Sequence, residues 1–330
     1  MTRPDDATGQ PRRVFLKDVA AFGGAFLLAG NFGEPAAQRS PDWKKQIGLE
    51  LFTVRDLMSK EFEGTLAKVA EIGYKEVEPV GYGGLNPKQF RALLDRYGLS
   101  APSTHAAATE GPDLEQQLEG HRIMGFKYTD IRAARPGGAG PPGAGGPKGA
   151  GRPKGAMPRR PPQTEESVKR SAEQYNRHGA ITKKFGMKIL IHNHAGEFDL
   201  LENSKKTQYD ILLAETDPAL VALQIDIGWA SVAGQNVLEM FRRNPGRYEL
   251  WHVKDVAGLK NADPSTPPGR RRGTFIPIGQ GELDYKTLFA NARVAGLKYF
   301  VIEQDNAGES GGDALADARA NYQGMAKVLS

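Results

Sequence analysis

The 330-residue chain is 39% hydrophobic, 25% charged and 8% aromatic, an ordinary globular composition with room for one large α/β barrel or two medium domains. It contains no cysteine, which excludes disulfides, thiolate metal sites, cysteine nucleophiles and thiol lipidation; any metal must be held by His, Asp and Glu. The formal net charge of +5 is matched by Lys148, Arg152, Lys154, Arg159 and Arg160 within residues 136–160, so the rest is near neutral and no nucleic-acid partner is expected.

At the N-terminus, Arg12-Arg13 precede Phe15-Leu16-Lys17 and an apolar, Gly/Ala-rich run from Val19 to Gly30. The pattern resembles a twin-arginine export signal, whose arginine pair is recognised by the twin-arginine translocase. Pro11 stands where Ser or Thr is usual, no good A-x-A site follows, and Ala37 marks the best processing point. A short amphipathic N-terminal helix is the alternative. The run falls short of the roughly 20 apolar residues that a membrane span needs. Residues 1–40 are therefore set apart as signal and spacer, and the resemblance implies an exported, periplasmic or otherwise extracytoplasmic protein.

From Ile47 onward, short apolar segments alternate with longer amphipathic ones. Strands are predicted at 47–54, 74–80, 99–106, 126–132, 187–193, 220–227, 247–254 and 298–304. Between them, "FEGTLAKVAEIG" places Phe62, Leu66, Val69 and Ile72 at helical spacing and stops at a glycine. "PKQFRALLDRYG", "LEQQLEGHRIMG" and "SVKRSAEQYNRHGAITKKFG" end in the same way. Eight strands interleaved with helices predict a single-domain (β/α)8 TIM barrel over residues 45–328. A doubly wound open sheet is the alternative, but "FTVRDLMS" after the first strand is no glycine-rich phosphate loop. Residues 135–163 are low-complexity Gly/Pro/Ala with basic residues, a composition predicting a disordered insertion between the fourth strand and fourth helix. "KNADPSTPPGRRRGTF" (260–275) is a second irregular, basic loop at the same end of the barrel.

The predicted strands close on ionisable residues: Arg55, Glu78, His105, Arg132, His192 with His194 and Glu197, Asp226, His252 with Lys254 and Asp255, and Glu303 with Asp305. Buried unpaired they would be costly, so they must serve one another, a metal or a substrate. Strand alternation puts Lys254 on the same inward side as His252. "LIHNHAGEF" (190–198) could by itself be a metal site, an HNH-type nuclease element or a polar strand end. The nuclease reading needs a ββα hairpin, whereas this segment ends a buried, parallel-type strand.

The segments "LQIDIGW", "ELWHVKD", "PIGQGELDY" and "FVIEQD" resemble the metal-binding signatures of the xylose isomerase-like TIM barrel superfamily. "IHNHAGEF" is similar to the YHNHxxEF element of its sugar phosphate isomerase/epimerase branch. The resemblance implies one divalent ion, Mn²⁺ first, with Mg²⁺, Co²⁺ or Zn²⁺ as alternatives, at the C-terminal mouth. Asp226, His252 and Glu303 match three ligands. For the fourth, Glu197 is expected to turn back from the loop, with His192 as the alternative. Glu78, His105, His192, His194, Trp229 and Asp255 are the candidates to face a substrate. Glu197, Glu303 and Lys254 are the candidates for proton transfer and for stabilising an enolate or a phosphate.

Such a set implies a sugar isomerase/epimerase that moves a proton α to a carbonyl through an enediolate. With a leaving group β to the carbanion, the same site gives a lyase or dehydratase on 3-keto-sugars or keto-glycosides. The implied partner is a sugar or keto-sugar, and a homo-oligomer is compatible with the sequence. An apurinic endonuclease shares the barrel but needs a histidine-rich trinuclear zinc cluster, and a sugar-binding protein without turnover is the remaining alternative.

Overall fold

In a computed structural model, which describes residues 41–133, 163–261, 263, 265–268 and 271–330, the alternating sequence pattern resolves into a parallel sheet wrapped by helices. The expected export signal (1–40) and nearly all of the low-complexity insertion lie outside the described residues. The strands are β1 (Gly48–Glu50), β2 (Glu76–Glu78), β3 (Ala108–Thr109), β4 (Tyr128–Thr129), β5 (Ile131–Arg132), β6 (Lys188–His192), β7 (Val221–Asp226), β8 (Leu250–Val253), β9 (Asp255–Ala257), β10 (Thr274–Ile276) and β11 (Tyr299–Ile302).

Seven of these form one sheet in the order β2-β1-β11-β8-β7-β6-β4, and each described pair within it is parallel. The third predicted strand, 99–106, is reduced to two bridges, Glu76 to Ser100 and Ser103 to Tyr128. Those bridges span the gap between β2 and β4 and close the ring. The reason for the reduction is local: Pro102 has no N–H to give to a ladder, and its carbonyl accepts from both Lys127 and Tyr128. The loop at 260–275 is also more ordered at its end than predicted, since β10 pairs antiparallel with β9.

The helices follow the predicted pattern, with ends fixed by side chains. The principal ones are α1 (Arg55–Met58), α2 (Phe62–Ile72), α3 (Pro87–Arg96), α4 (Leu114–Met124), α5 (Glu165–Thr182), α6 (Gln208–Glu215), α7 (Ile227–Val232), α8 (Val237–Arg243), α9 (Tyr285–Ala290), α10 (Ala292–Ala295) and α11 (Ala314–Val328). Asn86 and Gln89 form a reciprocal capping box on α3, and Thr164 with Ser167 does the same on α5. Gly125 ends α4 in the left-handed conformation that other residues adopt only with strain. Among the described residues no helix is long and apolar enough to cross a membrane.

The two-residue period of the strands sorts the core into two layers. Ile189, Ile191, Leu223, Ile225, Trp251, Val253, Phe300 and Ile302 are buried in the main apolar cluster. There Phe241 stacks on Trp251 at 4.9 Å and Phe289 meets Phe300 edge-on. The alternate positions form a smaller cluster of Tyr128, Leu190, Ala222 and Leu250, against which Tyr299 packs. Following that parity toward the C-terminal strand ends gives Glu50, Glu78, His192, Gln224, Asp226, His252 and Glu303. The inner layer is thus apolar at one end and ionisable at the other.

Candidate metal centre

Register brings the strand-end residues side by side: Glu50 opposite Glu78, His192 opposite Gln224, and Asp226 opposite His252. Asp226 and His252 are 0% exposed and Glu303 is 6% exposed. His252 sits at the centre. Its Nδ1 is 2.8 Å from Glu303 Oε2 and its Nε2 is 3.1 Å from Glu78 Oε2, so the ring donates to a carboxylate on each side. Burial opposes charge on this imidazole, but the hydrogen bonds and charges of Glu303 and Glu78 outweigh it and raise the pKa well above the ordinary value.

Lys254, 1% exposed, lies in the same layer as predicted by strand alternation. Its Nζ is 3.0 Å from Asp226 Oδ2, 2.9 Å from Glu303 Oε2 and 2.9 Å from Asp305 Oδ2. Burial disfavours its charge, and the three carboxylates more than restore it, raising the pKa. The same contacts act on Glu303: burial pushes its pKa up, Lys254 and His252 pull it further down, and the net direction is well below the usual range. Asp305 is partly exposed; burial, against the pull of Lys254, brings its pKa to about 6. Trp229 and Phe275 pack edge-on at 4.8 Å and flank the lysine, whose Nζ is 5.8 and 5.4 Å from the two rings. Gly228 is required there, because a Cβ would stand 2.6 Å from Lys254 Cβ.

The "IHNHAGEF" segment divides its residues among three tasks. His192 ends β6 and faces the centre, with its Nε2 3.9 Å from Asp226 Oδ2 and its ring 4.4 Å from that of His252. Burial, reinforced by the neighbouring histidines and Lys254, lowers its pKa well below the ordinary value and keeps it neutral. Asn193 is a clamp, its Oδ1 accepting from the Asp226 backbone at 3.0 Å. His194 is exposed, with its ring 5.9 Å from that of Trp229. Glu197, expected as the returning carboxylate ligand, accepts instead from the His194 backbone N–H at 2.8 Å inside a short turn. It belongs to none of the ligand-competent groups among the described residues. Those groups are Asp226–His252–Glu303, His105–His192–His252 and Glu50–Glu78–His105–His252, each with donor atoms within 4.8 Å of one another.

On the other side of His252, Glu78 Oε2 also accepts from Gln224 at 2.7 Å, and its Oε1 is 3.1 Å from His105 Nε2. Gln224 in turn accepts from His105 at 2.8 Å. Burial raises the pKa of Glu78, but His105 and His252 turn the net direction downward. Gln224 and Glu50 carry no assignment from the sequence pattern: the first is uncharged, and the second lies inside the first predicted strand. Asp255 faces away from the ionisable layer. Its carboxylate accepts from the backbones of Gly279, Gly281 and Leu283 and so organises the "GQGEL" loop.

The donor set suits a divalent ion. Asp226, His252 and Glu303 converge, neutral His192 stands beside them with its Nδ1 buried and without a hydrogen bond, and Asp226 Oδ2 is met only by the Lys254 ammonium. A parallel barrel with such residues gathered at the C-terminal strand ends is the architecture of a barrel enzyme. The chain belongs to the xylose isomerase-like TIM barrel family, which it matches over residues 66–325. It is 27% identical over 247 residues to the inosose dehydratase of Geobacillus kaustophilus, covering 68% of this chain and 73% of that enzyme. A sugar phosphate isomerase/epimerase from Parabacteroides distasonis superposes with a TM-score of 0.62 at 19% identity, over 88% of this chain and 96% of that one. The IOLI protein with a bound zinc atom does so with a TM-score of 0.60 at 13% identity, over 86% and 98%.

Proposed function

We propose that this protein is a divalent-metal-dependent dehydratase that removes water from a cyclic keto-polyol or keto-sugar. The observation that carries the reading is the meeting, in one buried layer, of a metal-competent trio with a lysine–carboxylate pair. Asp226, His252 and Glu303, with His192 as fourth ligand, would hold the ion, and Mn²⁺ is the expected metal. Bound there, a divalent ion supplies Lewis acidity that polarises a substrate carbonyl. The rest is the chain's own work. Asp305, the partly exposed carboxylate at the mouth, takes the proton α to the carbonyl. Lys254, held by three acids in its charged form, steadies the negative charge that develops on the oxygen. His105, bonded to Gln224 and Glu78, delivers a proton to the departing β-hydroxyl. Trp229 and Phe275 offer apolar faces to a ring and exclude water.

The likeness to an inosose dehydratase over two thirds of the chain favours elimination. A substrate with no β leaving group would be epimerised or isomerised by the same residues, which is the second reading. We also propose that residues 1–40 direct the enzyme out of the cytoplasm, where unphosphorylated keto-sugars are the available class.

The test is to incubate the purified chain, with and without Mn²⁺, with inosose and with a panel of ketoses and aldoses in D2O. The expected result is loss of water from inosose, abolished by chelator and by Asp226→Asn. Deuterium incorporation with an unchanged carbon skeleton formula would favour the isomerase/epimerase reading instead. Absence of both elimination and exchange across the panel would overturn the proposal.

A further inference from the structure

On the side of His252 where the proposed reaction draws on His105, one further group has an unmet demand of its own. Glu50 ends β1 at 1% exposure, and neither of its carboxylate oxygens has a hydrogen-bond partner. Its neighbour in register is Glu78, so two buried carboxylates stand side by side on adjacent strands. A buried acid without donors is among the costliest groups a fold can carry, and a second acid beside it raises that cost. Glu78 commits its Oε2 to His252 and Gln224, which leaves Oε1 directed to His105 at 3.1 Å. His105 Nδ1 is in turn 3.9 Å from Glu50 Oε1.

The contacts divide unevenly as well. Asp226, Glu303 and Asp305 hold Lys254, and Glu303 and Glu78 hold His252 between them, whereas Glu50 has only the His105 ring, at 3.9 Å.

We propose that Glu50, Glu78 and His105 form a second divalent-cation site, separated from the Asp226–Glu303 site by the His252 ring. The three residues, with His252, each offer a donor atom within 4.8 Å of the others. Donors about 2.0–2.2 Å from one ion lie roughly 3 to 4 Å apart, and one ring nitrogen of His105, one oxygen each of Glu50 and Glu78 and one nitrogen of His252 gather within 4.8 Å, close enough for small side-chain shifts to complete the set. Two carboxylates and an imidazole select Mn²⁺, Co²⁺ or Zn²⁺ over Ca²⁺. The site faces the mouth through His105, so an ion there would be open to a substrate hydroxyl and would take over from the free imidazole the assistance to its departure.

The experiment is metal counting on the full chain. Protein stripped with chelator is saturated with Mn²⁺ alone, and separately with Zn²⁺ alone, freed of excess ion, and measured by inductively coupled plasma mass spectrometry. Counts are read above the Glu50→Gln/Asp226→Asn double variant. Two ions per chain are expected for the wild type and one each for Glu50→Gln and Asp226→Asn. Glu50→Gln replaces a buried carboxyl group whose oxygens have no hydrogen-bond partner with an amide of the same shape, so its metal-free form should melt no lower than the metal-free wild type. Should it fail to fold, His105→Asn serves as the second variant, again with one ion expected. One ion in the wild type that is lost in Asp226→Asn and kept in Glu50→Gln would overturn the second site and leave the first intact. Two ions retained in both Glu50→Gln and His105→Asn would overturn it equally.

Discussion

Asp305 is a test of how much one side chain at the mouth contributes. Its carboxylate grips Lys254 through both oxygens, at 3.0 and 2.9 Å, yet it remains partly open to solvent, unlike Asp226 and Glu303. That combination suits a proton acceptor that meets the substrate from outside. Asp305→Asn leaves Lys254 its contacts with Asp226 and Glu303, so binding should hold while proton transfer fails. We expect kcat to fall by about 100-fold or more with KM changed only a few-fold. Steady-state rates on inosose check this, and a kcat within three-fold of the wild type would remove Asp305 from the reaction. Asp226, His252 and Glu303 were legible in the sequence as ionisable residues near the ends of predicted strands, and their pairing with a metal as what the resemblance implied. Glu197 was not, because its spacing from His192 fits a returning ligand as well as a local turn. The deciding bond, from the His194 backbone N–H, leaves no trace in composition. Gln224 was hidden by its lack of charge, although it ties His105 to Glu78.

At the scale of elements, α2, α3, α4 and α5 were legible in the sequence to within a few residues, since a glycine follows each apolar period. The strands were overestimated in length because period-2 patterns continue into the turns beyond each ladder. β1 gives way to a short helical turn at Leu51, and 99–106 yields to Pro102. The β9–β10 pair was missed, since a Pro- and Arg-rich stretch between its strands masks the pairing. Asp255 opens that pair and gathers four backbone donors, from Val256, Gly279, Gly281 and Leu283. Beside it, Tyr285 donates its hydroxyl to the Lys254 carbonyl and accepts from the Lys254 N–H. The loop from Gly279 to Leu283 therefore braces the strand that carries His252 and Lys254. Asp255→Ala would leave these four backbone donors, one buried and three partly buried, without their acceptor, at a cost of about 3 kcal/mol. Urea unfolding measures it, and a loss below about 1 kcal/mol would show that water or a shifted loop replaces the carboxylate.

At the scale of the whole molecule, the six histidines of the chain separate by position. His105, His192, His194 and His252 lie at the mouth, and the two on helices are structural. His178 pairs with Glu110 at 2.7 Å. His121 joins three parts of the fold: α4, which carries it, Thr129 of β4 at 2.8 Å, and Tyr82 after β2 at 3.2 Å. Tyr82 also donates to the Ala106 carbonyl, so the network spans the stretch where the third strand is only bridged. Burial lowers the His121 pKa to about 4, from an ordinary value near 6.5. In the unfolded chain the imidazole takes up a proton as pH falls through about 6.5, whereas the folded state resists until about pH 4. The unfolded state therefore binds more protons across this window, and stability rises with pH there. His121 contributes fully above about pH 7, and the contribution is lost as pH falls toward 4, a span worth about 3 kcal/mol. His121→Phe should be clearly less stable than the wild type at pH 7.5, with the gap narrowing steadily to pH 4.5. Comparing the two proteins under chelator at each pH cancels the titration of the mouth, which both share. A gap in urea midpoint that stays constant from pH 7.5 to 4.5 would mean that His121 titrates alike in both states and that the closure of the barrel does not depend on its neutrality.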